Sequence, residues 1–433
     1  MIRSTTDRST TDRKVEARRV ALASAIGTTI EWYDFFIYGT ASAVVFAPQF
    51  FPQVSALAGT LASFATFAIG FGARPLGGIV MGHFGDRVGR KSTLVWCLLL
   101  MGVSTFAIGL LPTYAQIGAW APALLVFLRF LQGFALGGEW GGAVLMSVEH
   151  APQGKRGLFG SFVALGLPSG IILSNLVFLM TSAVASPEQF ASWAWRVPFL
   201  ASSVLVAVGF FVRLRVAESP IFEGVQRARS TRRMPVVDVL RSEGRAVFLA
   251  AGSYLSISAT GYLVIVYFVS YATNNLGFSL PVTLGLLQSA AVLFAISILF
   301  FARRSDITGR RRMMRWSCGL LVIASLIFFP LIDTRSVLIA AAAVCFILAV
   351  QGMYIGPQAA VFAELFPAAY RYSGASLSIT LGTLLGGAIT PVVATALYGT
   401  FGNSWAVTIY AVGLSLISWL CALGLKETVH TEL

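Results

Sequence analysis

Five charged side chains lie inside stretches that are otherwise apolar enough to cross a membrane: Glu31, Asp34, Arg74, Arg129 and Glu139. A charge at that depth costs several kcal/mol unless it is paired or faces water, so each is a candidate for function. Acids and a guanidinium so placed can do two kinds of work. A carboxylate can take up and release a proton, and a planar guanidinium can grip an anionic carboxylate through parallel N–H bonds. At about 100° per residue, Glu31, Asp34 and Tyr38 share one helix sector with Ser24, Gly27 and Ser42, and bulky apolar groups take the rest. A second helix gathers Arg129, Gln132, Glu139, Trp140 and Ser147 on one side. Its opposite side carries ridges of Gly133, Gly137 and Gly141 and of Gly138 and Gly142, which admit neighbouring helices at backbone distance. A milder stripe joins Gln351, Tyr354 and Gln358, while Tyr254, Ser258, Tyr262 and Tyr267 dot another helix without forming a single polar face.

The elements that must hold these residues follow from composition. With 57% of its residues hydrophobic and 11% charged, the chain cannot cover itself with a water-soluble surface. Stretches long enough to span hydrocarbon as helix run over 20–46, 57–82, 92–112, 121–148, 158–184, 195–215, 246–272, 281–302, 314–332, 336–362, 372–396 and 404–425. That predicts an all-α integral membrane protein of twelve transmembrane helices, with both termini cytoplasmic. The polar residues 1–19 precede a first apolar stretch too long for a removable signal, and no small-residue cleavage site follows it. Every Lys and Arg except Arg74, Arg129, Arg196 and Arg335 then falls on the cytoplasmic side, as the positive-inside rule requires. The net charge of +13 is thereby accounted for by topology and anionic lipid rather than by nucleic acid. Cys97, Cys318, Cys345 and Cys421 lie in or beside spans as small apolar residues. His83, His150 and His430 show no ligand spacing, so neither disulfide, metal nor cofactor is expected.

A basic connection over 216–245 divides the chain into a six-helix half at 20–215 and another at 246–425, with 426–433 as a short tail. The halves repeat: Glu149, Pro152, Arg156 and Ser161 recur as Glu364, Pro367, Arg371 and Ser376. Likewise Asp86, Gly89 and Arg90 recur as Asp306, Gly309 and Arg310. Internal duplication is the expected architecture of an alternating-access carrier. Asp86, at the inner end of the second helix, is positioned to accept hydrogen bonds from a neighbouring helix N-terminus. With Arg87, Arg90, Glu149 and Arg156 in one half and Asp306, Arg310, Glu364 and Arg371 in the other, it makes a candidate salt-bridge latch. The alternative is ordinary topogenic charge, which suffices for Lys91 and Lys155.

The run Gly82, His83, Phe84, Gly85, Asp86, Arg87, Val88, Gly89, Arg90, Lys91 resembles the loop signature of the major facilitator superfamily. Within it the chain is similar to the metabolite:proton symporters, through EWYDFFIYGTAS at 31–42, ARPLGG at 73–78, RFLQGFALGGEWGGA at 129–143 and ESPIF at 218–222. The resemblance extends over essentially the whole chain and comes nearest the shikimate-type branch, whose relatives move dicarboxylates, citrate, proline and betaine. It implies the major facilitator fold in two six-helix halves, with helices 1, 4, 7 and 10 lining a central cavity. The second copy of the signature has Ile307 and Thr308 where the first has Arg87 and Val88, which weights gating toward the first copy.

Together these readings predict a secondary active transporter that takes up a small carboxylate-bearing metabolite with protons across the inner (cytoplasmic) membrane. Arg129 would anchor the carboxylate, with Gln132, Tyr38, Gln351, Tyr354 and Gln358 around the substrate. Asp34, Glu31 or Glu139 would carry the proton. Arrival of substrate at Arg129 would free the acid to protonate, since a nearby guanidinium favours the ionised form. The competing account of Arg129 and Asp34 is a buried ion pair that merely fixes helix 1 against helix 4; Arg74 reads as structural or as a proton route. An enzyme is not expected: no nucleophile–base pair or metal motif lies at membrane depth, and no Gly-rich loop ends in Lys-Ser or Lys-Thr. Uptake of a zwitterionic osmolyte ranks second, because osmolality-sensing relatives carry a long C-terminal coiled coil that the sequence as given does not show. An uncoupled facilitator or exporter shares every helix with a symporter. The expected partners are the solute, protons and lipid; oligomeric state is not legible, and a monomer suffices.

Overall fold

The computed structural model describes residues 4–88, 90–137, 147–148, 151–152, 154–215, 235–367 and 371–429. Within these, the side chains of 4–21, 23, 82–88, 90–92, 94, 212–215, 235–238 and 372 lie outside the description. The described residues form helices and turns and no strand, as expected where hydrocarbon offers backbone groups no partner. In chain order the crossings are α1 (Ser4–Val44), α2 (Ala56–Val88), α3 (Arg90–Leu110), α4 (Trp120–Leu136), α5 (Arg156–Val184) and α6 (Val197–Arg215). They continue as α7 (Val239–Asn274), α8 (Leu280–Thr308), α9 (Arg310–Ile332), α10 (Val337–Glu364), α11 (Ser373–Phe401) and α12 (Trp405–Gly424). Helix α1 starts within the polar stretch 1–19, and the helix leading into α7 starts at Pro235, within the stretch read as loop. Polar helix ends need no hydrocarbon, so they outrun the hydropathy pattern that marks only the buried part.

Each half uses the same pairings: α1 packs on α5, α2 on α4 and α3 on α6, as α7 packs on α11, α8 on α10 and α9 on α12. Lipid provides no hydrophobic drive between helices, so these pairs rest on close van der Waals fit. The tightest fit joins α2 to α4, where a Cβ on Gly133 would stand 1.8 Å from the Gly70 carbonyl oxygen and one on Gly137 2.0 Å from that of Arg74. The glycine ridge read from the sequence at Gly133 and Gly137 is thus the α2 contact; Gly138, Gly141 and Gly142 lie outside the described residues. Across the halves, α5 packs on α8 and α10, α1 on α7, and α2 on α11. Helix α7 is the most enclosed, with 94% of its apolar window buried against 39–56% in the other long spans. Both α7 and α11 carry a one-turn π-bulge, at Leu263–Tyr267 and Thr383–Ala388, a local defect often found at functional sites.

Candidate functional site

The guanidinium of Arg129 is buried in the first half among aromatic faces. Its central carbon lies 4.1 Å from the ring centre of Tyr38, 4.6 Å from Phe35 and 5.0 Å from Phe67. Cation–π attraction of this kind is worth up to about 2 kcal/mol when desolvated, and it holds the cation without occupying its donors. Among the described residues only Nη1 is engaged, donating to Gln132 Oε1 at 3.1 Å, while Nε and Nη2 have no hydrogen-bond partner there. Gly70 leaves the room: a Cβ there would lie 2.6 Å from Arg129 Nε. From Gln132 the contacts run on, Nε2 donating to Thr105 Oγ1 at 2.7 Å and Thr105 Oγ1 to Asp34 Oδ2 at 3.0 Å. Asp34 Oδ1 is buried without a partner among the described residues. The cation of α4 and the acid of α1 are therefore linked through an amide and a hydroxyl, with no direct ion pair between them. Tyr38 offers Arg129 its ring while its hydroxyl donates to Thr66 Oγ1 at 2.7 Å. A second guanidinium, Arg74, lies 4.6 Å from Phe71 and 5.3 Å from Phe35, so both arginines share the Phe35 ring.

The second half meets this cage with α7. The Tyr262 ring packs edge-on against Phe35, Phe67 and Phe71 at centroid distances of 5.7, 5.7 and 5.3 Å, closing the aromatic cluster across the interface. Its hydroxyl and the Ser258 hydroxyl one turn before it are both buried without a hydrogen-bond partner among the described residues. Gly387 in the α11 bulge lets α7 come close, since a Cβ there would lie 2.3 Å from both Ser258 Oγ and the Tyr262 ring. Nearby, Gln351 Nε2 donates to Thr260 Oγ1 at 2.9 Å, and the Tyr354 hydroxyl bonds Ser253 Oγ at 2.7 Å. Inside the described part of this half, α7 and α10 present neutral hydrogen-bonding groups where the first half presents charge.

A separate charged cluster ties the halves together at the end of the molecule where α5 begins and α8 and α10 finish. Glu364 binds Arg310 at 2.8 Å within its own half and Arg156 of the other half at 3.5 Å, with its side chain fully enclosed. Asp306 accepts the backbone N–H groups of Gly157 and Leu158, at 2.8 and 3.1 Å, so its carboxylate caps the N-terminus of α5. Arg310 reaches Asp306 at 3.4 Å. The turn between α8 and α9 needs Gly309, with φ of +93°, and there Glu427 accepts the N–H groups of Arg310 and Arg311 at 2.9 and 3.2 Å. The residues after α12 thus fold back onto the start of α9.

Comparison with known proteins agrees with this architecture. The model of the major facilitator superfamily matches residues 24–384. The chain belongs to that superfamily. It is 41% identical to the inner membrane metabolite transport protein YhjE of Escherichia coli (strain K12) over 436 residues, 99% of each chain. It is 40% identical to the shikimate transporter of the same organism over 416 residues, 95% of each. A partially occluded, inward-open structure of the xylose transporter XylE from E. coli superposes with a TM-score of 0.74 over 97% of this chain and 100% of that one; at 18% identity the likeness concerns the fold. The chain is a twelve-helix transporter of metabolites, not an enzyme.

In this member of the superfamily, the residues singled out in the sequence divide into three groups. Arg129, Gln132, Asp34 and Tyr38 converge on one buried site, which Glu31, one turn from Asp34 and 8% exposed, adjoins. Gln351, Tyr354 and Gln358 share one face of α10 in the other half, toward α7. Arg156, Asp306, Arg310 and Glu364 form the charged cluster, in which Glu364 meets Arg156 of the opposite half. Glu139 and Glu149 lie outside the described residues, as do the side chains of Asp86, Arg87 and Arg90; the described contacts join Asp306 and Glu364 of the second half to the start of α5 in the first. Sequence reading missed Thr105, a lone hydroxyl in an apolar span, and Glu427, a charge in a short tail. It also missed that Tyr254, Ser258 and Tyr262, spaced by four, make a stripe on α7.

Proposed function

We propose that this protein takes up a small carboxylate-bearing metabolite together with protons across the cytoplasmic membrane by alternating access, its termini in the cytoplasm. The observation that carries this reading is the buried Arg129 guanidinium, held by aromatic faces with two of its nitrogens unpartnered among the described residues. A cation so desolvated demands an anion, and a carboxylate fits its paired N–H geometry. Asp34 is the proton carrier: a carboxylate buried in the same site, with one oxygen unpartnered. The similarity to metabolite and shikimate transporters supports an organic acid as cargo. Gln132, Tyr38, Gln351, Tyr354 and Gln358 surround the solute. The cluster of Arg156, Asp306, Arg310 and Glu364 latches the cytoplasmic side, with Asp86, Arg87, Arg90, Glu149 and Arg371 as the set that the internal repeat relates to it.

The test is uptake by purified protein in liposomes under an inward proton gradient, across shikimate, dicarboxylates, aromatic acids, proline and betaine. Accumulation of a carboxylic acid that collapses with a protonophore is the expected result. Accumulation of proline or betaine alone would transfer the reading to osmolytes. Asp34→Asn should abolish gradient-driven accumulation while solute exchange across the bilayer persists. Normal accumulation in that variant would move the proton to Glu31 or Glu139.

A further inference from the structure

Thr105 stands at the only described connection between the acid and the cation, and its contacts exceed what one hydroxyl can serve at a time. Its Oγ1 lies 3.0 Å from Asp34 Oδ2, 2.9 Å from the Met101 carbonyl oxygen and 2.7 Å from Gln132 Nε2. Two of those neighbours accept and one donates, whereas a threonine hydroxyl has one proton and two lone pairs. We infer that the Thr105 hydroxyl is the coupling switch of this transporter, pointing its proton at Asp34 when that carboxylate is charged and at the Met101 carbonyl when it is protonated. The inference rests on the proposed roles of Asp34 and Arg129 and adds the group that connects them.

With Asp34 ionised, every donor in the chain points the same way: Arg129 to Gln132, Gln132 to Thr105, Thr105 to Asp34. A row of bonds polarised from cation to anion strengthens each of its members. Gln132 is then held firmly against Arg129. When Asp34 takes a proton, Oδ2 is where it finds an acceptor, since Oδ1 is buried with no partner. The new O–H donates to Thr105 Oγ1, and the hydroxyl proton turns to Met101, one helical turn earlier on α3. The last bond of the row reverses, Thr105 becomes a poorer acceptor for Gln132, and Gln132 loosens its hold on Arg129 Nη1. Protonation at Asp34 is thereby reported to the carboxylate-binding cation without the two charges touching. Among the described residues, the charged groups facing Asp34 are Glu31 on its own helix and Arg129 on α4, with Arg74 on α2 beyond Glu31. Helix α3 brings Thr105 there, and α5 and α6 carry no charged side chain at that depth.

The test compares Thr105→Val, which keeps the shape and removes the hydroxyl, with Thr105→Ser, which keeps the hydroxyl. Solute affinity and exchange are measured from pH 5 to 8 in liposomes, beside gradient-driven accumulation. Coupling between two ligands typically amounts to about 5–150-fold in affinity. Wild type and Thr105→Ser should show a pH-dependent affinity change in that range; Thr105→Val should show less than about 2-fold, exchange normally and fail to accumulate. Exchange certifies that the valine variant is folded. If it is not, Thr105→Ala, which removes the same hydroxyl by truncation, is read in the same way. A valine variant that keeps the wild-type pH dependence and accumulates normally overturns the switch. Asp34→Asn separates this from the reading beneath it: if that variant accumulates, the role of Asp34 is wrong, whereas an uncoupled Asp34→Asn beside a coupled Thr105→Val refutes Thr105 alone.

Discussion

Replacing Asp306 by Asn perturbs the bond between the halves at one carboxylate. Asp306 caps α5 of the opposite half through the N–H groups of Gly157 and Leu158, at 2.8 and 3.1 Å. Its pairing with Arg310 lies within one half, is present whether or not the halves part at this end, and does not bias the equilibrium. Asparagine keeps one acceptor oxygen and loses the charge. One charge-assisted bond, about 1.5–3 kcal/mol, is forfeited, along with about 0.3–1 kcal/mol of attraction to the helix N-terminus. The closed arrangement should therefore lose about 2–4 kcal/mol, a shift of roughly 30- to 1000-fold toward the state in which this end is open. Ala359, 4% exposed, is a suitable reporter, because a Cβ on Gly160 of α5 would lie 3.0 Å from its methyl group. Ala359→Cys, made after Cys97, Cys318, Cys345 and Cys421 are replaced by alanine, should react with a membrane-impermeant thiol reagent applied from the termini side. The reaction should be at least tenfold faster in the Asp306→Asn background. An unchanged rate, with the protein folded and transporting, would mean that the carboxylate does not hold the halves together.

Two further outcomes follow from the packing. Gly133→Ala should lower the melting temperature in detergent by several degrees, because its Cβ would meet the backbone oxygen of Gly70 at 1.8 Å and α2 and α4 would have to separate. Gly70→Ala should retain the fold but weaken solute binding several-fold in equilibrium dialysis, since its Cβ meets the movable Arg129 side chain instead, at 2.6 Å from Nε. Equal destabilisation by the two variants would contradict this assignment. Arg129→Lys keeps the charge and loses the planar fork, so solute affinity should fall by about 2–3 kcal/mol, or roughly 30- to 150-fold. An unchanged Kd would make Arg129 a structural cation only.

The hydropathy pattern marks twelve apolar stretches long enough to cross a membrane, and repeated residues mark the two halves as related. A helix in hydrocarbon satisfies its own backbone, so each span is specified locally, by roughly twenty consecutive residues. For the same reason Asp34 and Arg129 were recognisable as candidates for function: the cost of burying charge is a property of the residue and its depth, whatever its neighbours. What the spans do to one another was not legible, because contacts across α1, α3 and α4 depend on crossing angle and depth, which no local rule sets. Thr105 became part of the site only when α3 brought its hydroxyl to 3.0 Å from Asp34. Likewise, the repeat identified Glu364 and Arg371 as counterparts of Glu149 and Arg156, but only the docking of α5 against α8 and α10 gave Glu364 to Arg156 and Asp306 to the start of α5. Sequence assigns charges to helices; the tertiary fold chooses their partners, because an ion pair is decided by a few ångströms between segments about 150 to 200 residues apart.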